Sequence, residues 1–499
     1  MSSSGRLHPI MFVGTGSDVG KSVIATAFCR IFRQDGYHPA PFKAQNMSLN
    51  SYATPDGLEI GRAQAVQAEA AGVPCHTDMN PILLKPQSDH TSQVVLNGRP
   101  AGNQQAGDYF RREGREALRQ AVCDAFDRLA SRYNPIVMEG AGSISELNLR
   151  DVDIVNMPMA LHAGADVILV ADIDRGGVFA SVYGSIMLLP EEERKLVKGI
   201  IINKFRGDLS LFDKGRTILE QLCHVPVLGV VPYYSDIHIE EEDSMSLSRK
   251  NSQAEEQGRI SVAVVLLRHI SNFTDFDVLE RDPRIQLYYT SNPADLASAD
   301  IIILPGSKST IDDLYQLRRN GVAEAIVKAR RRGATVMGIC GGYQMMGREV
   351  CDPQHVEGDV ERMPGLGLLP VTTTMRGEKR TRQVKARLIP FDTPLLEGYE
   401  IHMGSTTPLA QPSPLLQLDE GREDGYWVDQ KCMGTYVHGI FDNQPFIDYL
   451  RQPYAGKLKE AVSFDHAAYK QQQYDLLADH IRRYVDIPAV YAIMHYPVL

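Results

Sequence analysis

What the 499-residue chain lacks narrows its chemistry first. No apolar run approaches the roughly 18 residues of a membrane span, and Met1-Ser2-Ser3-Ser4-Gly5-Arg6 carries nothing like the apolar stretch of a signal peptide. The seven cysteines, at positions 29, 75, 123, 223, 340, 351 and 432, are odd in number and nowhere form C-x-x-C. That is the usage of a reducing compartment, not of a disulfide framework. Basic residues are not in surplus, since 52 Lys and Arg face 62 Asp and Glu for a net charge of −10. General nucleic-acid binding, which wants a basic face, is disfavoured, although a local patch is not. There is no internal repeat and no low-complexity segment. These absences predict a cytoplasmic protein without a membrane span, long enough for two or three domains that each bury a core.

The chain does contain a phosphate-binding pattern near its start. An apolar strand, Pro9 to Val13, runs into Gly14-Thr15-Gly16-Ser17-Asp18-Val19-Gly20-Lys21-Ser22, and Val23 to Phe28 reads as helix. Strand, glycine-rich turn and helix N-terminus together form a P-loop, whose amides and dipole cradle phosphate. The predicted nucleotide contacts are Thr15, Gly16, Ser17, Asp18, Val19, Gly20, Lys21 and Ser22, with Lys21 on the β/γ-phosphates and Ser22 on Mg2+. Thr15 stands where G-x-x-x-x-G-K-S has its first glycine, and Gly14 lies one residue early. Glu139, ending the strand Ile136 to Glu139, is placed as a second Mg2+ ligand or water holder. Asp166 to Asp172 and Gly199 to Lys204 are continuous apolar strands of the kind buried on both faces of a parallel sheet. Asn203, at the end of the latter, is a candidate for reading the nucleotide base or for simple loop capping.

Between these strands lies an unusually polar stretch, Phe42 to Ser51, followed by a predicted helix from Gly61 to Ala71 and by Asp78 to Pro86. Its amides, hydroxyls and lysines suit a ligand bearing several carboxylates and amides, against the plainer reading of a solvated loop. The acceptor candidates are Lys43, Gln45, Asn46, Asn50, Asp78, Asn80 and Lys85, with Asp174 and Arg175 as a further rim at the strands' carboxyl ends.

A polar connector, Arg249 to Arg259, separates residues 1–248 from a second α/β unit at 260–450, and 451–499 forms a C-terminal helical segment with helical spacing over Tyr474 to Val485. In the second unit the apolar run Ala334 to Met337 leads into Gly338-Ile339-Cys340-Gly341-Gly342. This is the cysteine form of a nucleophile elbow, in which a tight strand-to-helix turn lifts the nucleophile above the sheet. Small buried cysteines in glycine-rich turns are common, and so are structural histidines at strand ends. Together, however, Cys340 and His438, which ends Gly434 to His438, supply a thiol and the base it needs. The N–H groups of Gly341 and of Ser307, in the strand-end turn Pro305-Gly306-Ser307, are the predicted oxyanion donors.

Taken together, the P-loop variant, Phe42-Lys43-Ala44-Gln45-Asn46-Met47, Asp78-Met79-Asn80-Pro81, Asp174-Arg175-Gly176-Gly177 and Gly338-Ile339-Cys340-Gly341-Gly342 resemble the cobyric acid synthase family over nearly the whole chain. The N-terminal part is similar to dethiobiotin synthetase and the C-terminal part to class I glutamine amidotransferases. The resemblance implies a P-loop, mostly parallel α/β domain followed by an amidotransferase-like α/β domain. It also implies ATP, Mg2+ and glutamine as reactants, no tightly bound organic cofactor, and a corrinoid polycarboxylate acceptor, adenosylcobyrinic acid a,c-diamide, amidated at its b, d, e and g carboxylates.

Class I amidotransferases carry a glutamate two residues after the histidine, whereas this chain has Ile440 there. The third triad member is therefore missing or comes from elsewhere, and a His438 of reduced basicity is the expectation. Three rivals stand beside this reading: cobyrinic acid a,c-diamide synthase, a glutaminase or non-enzymatic scaffold, and a partition-type P-loop switch. The last carries a lysine four residues before the final loop glycine, where this chain has Gly16.

Overall fold

The computed structural model describes residues 6–86, 91–105, 115–240, 258–391, 393–458 and 464–495. Most of the connector expected at 249–259 lies outside them. The first sheet is built from β1 (Ile10–Gly14), β2 (Ala40–Phe42), β3 (Ile136–Glu139), β4 (Asp166–Asp172), β5 (Val197–Phe205) and β6 (Val227–Pro232). Their order is β6-β5-β4-β1-β3-β2, parallel throughout. Parallel strands need crossovers that cover both faces with helices, which is why β1, β3 and β4 are apolar at almost every position and buried.

Helix α1 (Lys21–Gln34) starts at Gly20, whose φ of 99° ends the loop, and its buried stripe includes Ile24, Phe28, Ile31 and Phe32. Phe28 packs on Phe12 of β1 with ring centroids 4.8 Å apart. Truncating such a ring to alanine costs about 3–5 kcal/mol, so the loop at the head of this helix rests on a rigid support. A smaller four-stranded sheet carries the polar segment on Gln45–Met47, beside Ile82–Pro86.

The second sheet comprises β7 (Ile260–Val265), β8 (Ile285–Thr290), β9 (Ile301–Leu304), β10 (Thr335–Ile339), β13 (Tyr426–Asp429) and β14 (Cys432–Thr435), in the order β8-β7-β9-β10-β14-β13, with only the β13–β14 pair antiparallel. Two long strands, β11 (Val371–Leu388) and β12 (Leu396–Pro408), pair antiparallel beside it. Helix α2 (Gly341–Met346) follows β10 directly.

The C-terminal helix, α3 (His466–Tyr484), returns to the first domain. Tyr474, Leu477, Ala478 and Ile481 join the core around α1, and Arg30 Nε donates to Asp475 Oδ1 at 2.7 Å. Residues Tyr449, Leu450 and Tyr454, just before it, belong instead to the second core. The chain thus fastens its two units together at its end as well as at its middle. Among the described residues no helix is long and apolar enough to cross a membrane.

Candidate active site: a cysteine centre and a phosphate loop

Cys340 sits at the β10–α2 turn with φ 52° and ψ −109°. A non-glycine residue rarely adopts this backbone, and such strain persists only where the surroundings enforce it. The surroundings are visible: a Cβ on Gly342 would stand 1.9 Å from Leu304 O, so α2 lies too close on β9 for any side chain there. The Cys340 N–H donates to Thr435 O at 2.9 Å. The sulfur is buried, 3.5 Å from Ile401 O. Ser307 and Gly341 are neighbours, since a Cβ on Gly341 would meet Ser307 N at 2.7 Å.

His438 is buried beside Cys340, its ring stacked on Tyr399 at 5.3 Å. Its Nδ1 lies 2.6 Å from Asp275 Oδ2, and Asp275 Oδ1 accepts the Gly439 N–H at 3.0 Å. A carboxylate thus occupies the orienting position after all, delivered by the single helical turn Phe273–Phe276 rather than by the residue two places after the histidine. Burial alone would lower the basicity of His438. The negative charge of Asp275, then that of the Cys340 sulfur, outweigh it and raise its pKa from 6.5 to about 10. The weaker base expected from Ile440 is therefore corrected to a stronger one, because a charge acts through distance in space and not through sequence offset. The only hint in the sequence was Asp275 lying between Phe273 and Phe276, an acid among residues that pack inward.

A cavity of about 50 Å³ opens at Cys340, lined by Ser307, Lys308, Thr310, Gln344, Glu357 and His438 from the second domain and by Ser51 and Lys85 from the first. Lys85 Nζ donates to Glu59 Oε1 at 2.7 Å and to Ser51 Oγ at 2.9 Å, while Lys379 of β11 engages the other oxygen of Glu59. Buried Glu59, unremarked in the sequence, thus joins the domains through two lysines, and those lysines hold its carboxyl far below the usual range against the upward push of burial.

In the first domain, Lys21 Nζ reaches back over the loop to Gly16 O at 2.8 Å and Gly142 O at 2.9 Å. Ser22 Oγ donates to Glu139 Oε1 at 2.8 Å. Glu139 also accepts from Lys43 Nζ at 2.8 Å and Gln67 Nε2 at 2.7 Å. Burial would raise its pKa, but the Lys43 ammonium and these hydrogen bonds hold it below the ordinary carboxylate value. Thr15 N donates to Val170 O at 3.1 Å, tying the loop entrance to β4. Asp18 takes φ 57° at the loop's crest, near exposed Ser17. Asn203 Nδ2 donates to Val19 O at 2.9 Å, so its amide clamps the loop and its base-reading role is not what the geometry favours.

The acceptor candidates divide. Arg175 is exposed near Asp18 of the phosphate loop, and its neighbour Asp174 pairs with Arg206 at 2.8 Å, whereas Gln45 stands half-buried on the smaller sheet, paired with Ile82. Lys43 meets Glu139, and Asn46 Nδ2 donates to Gln64 Oε1 at 3.0 Å. Three expectations are corrected. Asp78 is buried beneath Arg128 and Arg132; Asn80 spends its amide on Lys43 O and Ile82 O and accepts from Gly61 N; Lys85 faces the cysteine cavity. Polar side chains in this stretch serve as internal braces because its irregular backbone leaves groups that must be satisfied. Asn50 Oδ1 accepts the Phe273 N–H across the domain junction at 3.1 Å.

Residues 10–247 match the family described as the CobQ/CobB/MinD/ParA nucleotide binding domain, and residues 261–446 the CobB/CobQ-like glutamine amidotransferase domain. A nucleotide-binding unit joined to an amidotransferase unit defines the class: this is an ATP-dependent glutamine amidotransferase ligase. The chain is 73% identical to the cobyric acid synthase of Bacteroides fragilis over 98% of this chain and 99% of that one, and 68% identical to that of Phocaeicola vulgatus over 98% and 99%. It belongs to the cobyric acid synthase family and takes part in cobalamin biosynthesis. That membership sets aside the positional-switch and non-enzymatic readings. Among solved structures it is similar to PurLQS from Thermotoga maritima, at 18% identity and a TM-score of 0.32 over 39% of this chain and 99% of that one.

Proposed function

We propose that the chain converts adenosylcobyrinic acid a,c-diamide to cobyric acid by amidating its b, d, e and g carboxylates, with nitrogen drawn from glutamine at Cys340 and activation by ATP at the phosphate loop. The observation that carries this reading is the His438–Asp275 contact of 2.6 Å beside Cys340, in a chain that also holds Lys21, Ser22 and Glu139 around a P-loop.

A carboxylate does not exchange oxygen for nitrogen directly, because oxide is too poor a leaving group. Transfer of the ATP γ-phosphoryl to the acceptor carboxylate gives an acyl phosphate, from which ammonia displaces phosphate. Lys21 is the loop's phosphate cation. Ser22 and Glu139 would hold Mg2+, their hydroxyl and carboxylate oxygens being the hard donors it takes, and the ion would supply charge neutralisation at phosphate oxygens. Asp174 and Arg175, beside Asp18 of the loop, would meet the acceptor there, and Lys43, bound to Glu139, would border the same site.

Ammonia in neutral water is mostly protonated, so it is best made locally. With Asp275 on Nδ1, His438 presents Nε2 to the sulfur, and its raised pKa favours an imidazolium–thiolate pair. The thiolate adds to the glutamine γ-carboxamide carbon, and the oxyanion is received by the N–H groups at Ser307 and Gly341. Imidazolium then protonates the departing nitrogen, ammonia leaves, and water assisted by neutral His438 cleaves the thioester to glutamate. All seven cysteines are free thiols, which suits a cytoplasmic setting.

The test is mass spectrometry of the corrinoid after incubation with enzyme, ATP, Mg2+ and glutamine. Four successive replacements of hydroxyl by amino are expected, and Cys340→Ala should lose the glutamine-supported reaction while ammonium salts still support it. A corrinoid amidated only at a and c, or a fully active Cys340→Ala, would overturn the assignment.

A further inference from the structure

The mechanism above uses Cys340, His438 and Asp275 and leaves two charged groups of the cysteine cavity without a task. Lys85 and Lys379 are already engaged by Glu59. Lys308, one residue beyond the oxyanion candidate Ser307, lines the same cavity, yet among the described residues no hydrogen bond or ion pair engages its ammonium. Facing the cavity as well is Glu357, whose Oε2 accepts the Thr310 N–H at 2.7 Å at the start of the helix Thr310–Arg319. The two side chains influence each other electrostatically but form no ion pair within 4.0 Å. Each is disfavoured as a charge where it stands. Burial pulls the Lys308 ammonium down from its ordinary value, with the nearby Lys85 charge adding to this. Burial likewise pushes the Glu357 carboxyl up, to about 7, and Lys308 only partly offsets it.

Two opposite charges, kept apart and incompletely compensated inside a small cavity, are complementary to a zwitterion that carries both signs on one carbon. Glutamine is such a molecule: its reacting carboxamide is neutral and its head bears an ammonium and a carboxylate. We propose that Lys308 and Glu357 read the charged head of glutamine, Lys308 taking the α-carboxylate and Glu357 the α-ammonium, so that the γ-carboxamide is presented to Cys340. They are specificity-determining residues for the nitrogen donor and touch no reacting atom. The proposal rests on the reading of Cys340 as the glutaminase nucleophile. It adds that the head charges are recognised on the second domain alone, by groups placed on either side of the Thr310 helix start.

The experiment uses the full-length chain with two analogues, glutaramate, which lacks the α-amino group, and glutamine α-amide, which lacks the α-carboxylate. Hydrolysis is read as kcat/KM relative to glutamine, each variant being normalised to its own ammonium-supported amidation so that folding losses cancel. The unmodified enzyme is expected to disfavour both analogues by at least about tenfold. In Glu357→Gln the preference for glutamine over glutaramate should collapse toward unity with the α-amide preference kept, and Lys308→Met should show the reverse pattern, mainly through KM. Glu357→Asp, which keeps the carboxylate and the helix contact, serves where the amide variant does not fold and should retain the preference. Equal use of all three substrates by the unmodified enzyme, or undiminished discrimination in the variants, would overturn the proposal. Alkylation of Cys340 by iodoacetamide separates the two layers: hydrolysis that survives complete alkylation sinks the nucleophile reading, whereas hydrolysis that is lost, beside unchanged discrimination in the variants, sinks only the head recognition.

Discussion

Asn50, in the polar segment of the first domain, accepts the backbone N–H of Phe273 at 3.1 Å, two residues before the aspartate that holds His438. The contact is reciprocated, since Ser51 N donates to Asn272 Oδ1 at 3.1 Å and Asn272 Nδ2 reaches the Tyr399 hydroxyl at 3.2 Å. The turn that carries Asp275 to His438 is therefore buttressed by the segment that also carries Lys43, whose partner Glu139 meets Ser22 of the phosphate loop. A change in that segment on ligand binding has a short path to His438.

Glutamine hydrolysis should accordingly be slow for the enzyme alone and rise when ATP and acceptor are both present. Asn50→Ala removes one hydrogen bond of the clasp, worth about 0.5–1.5 kcal/mol, and should cut the ratio of stimulated to unstimulated hydrolysis several-fold. Measuring both rates in the variant decides it; an unchanged ratio means that the clasp transmits nothing.

Asp275→Asn should lower glutamine-supported turnover by on the order of 10²-fold, the scale of a misoriented general base. The pH dependence has a definite sign. Because the folded His438 pKa is raised from 6.5 to about 10, its interaction with Asp275 stabilises the protein fully below 6.5 and is lost as pH climbs through about 10. The stability gap between the unmodified protein and Asp275→Asn should therefore be full below about pH 6.5, narrow as pH rises from there and close above about pH 10, as denaturant midpoints would show. The alkaline limb of the glutaminase rate should move to lower pH in the variant.

Lys21→Ala should disable amidation with glutamine and with ammonium alike, by on the order of 10²- to 10³-fold, since it removes the cation expected on the transferring phosphate. Normal turnover with either nitrogen source would show that the phosphates lie elsewhere.

Gly342→Ala should destabilise the second domain by about 1–3 kcal/mol or more, because the new Cβ would overlap Leu304 O, 1.9 Å away. Thermal unfolding of the variant against the unmodified chain checks this. Full stability would mean that α2 can slide off β9 without cost.

How much of this was legible in advance divides along physical lines. The phosphate loop, the elbow at Cys340 and the apolar parallel strands each depend on a few consecutive residues: an apolar run forms the strand, glycines allow the turn, and the helix follows. Geometry confined to one turn can be recognised without knowing the fold, so the loop leading into the helix at Lys21 and the strand-to-helix turn at Cys340 were legible from the letters. Even Glu139, 117 residues from Ser22, ends a strand whose neighbour could be anticipated from the parallel sheet.

What needed the tertiary structure were the contacts whose partners are set by how distant segments pass each other. Asp275 lies 163 residues from His438 and reaches it from another turn, so the isoleucine at 440 signalled a loss that the fold had already repaired. The sequence determined that Asp78, Asn80 and Lys85 were polar, but not which way they face, and a side chain built to meet a ligand has the same letters as one bracing an irregular backbone. The last helix is amphipathic in sequence, yet that its stripe covers α1 of the first domain, with Arg30 and Asp475 meeting across 445 residues, is decided by chain path alone. Periodicity specifies that a face must be buried; only packing chooses against what, because burial is non-directional.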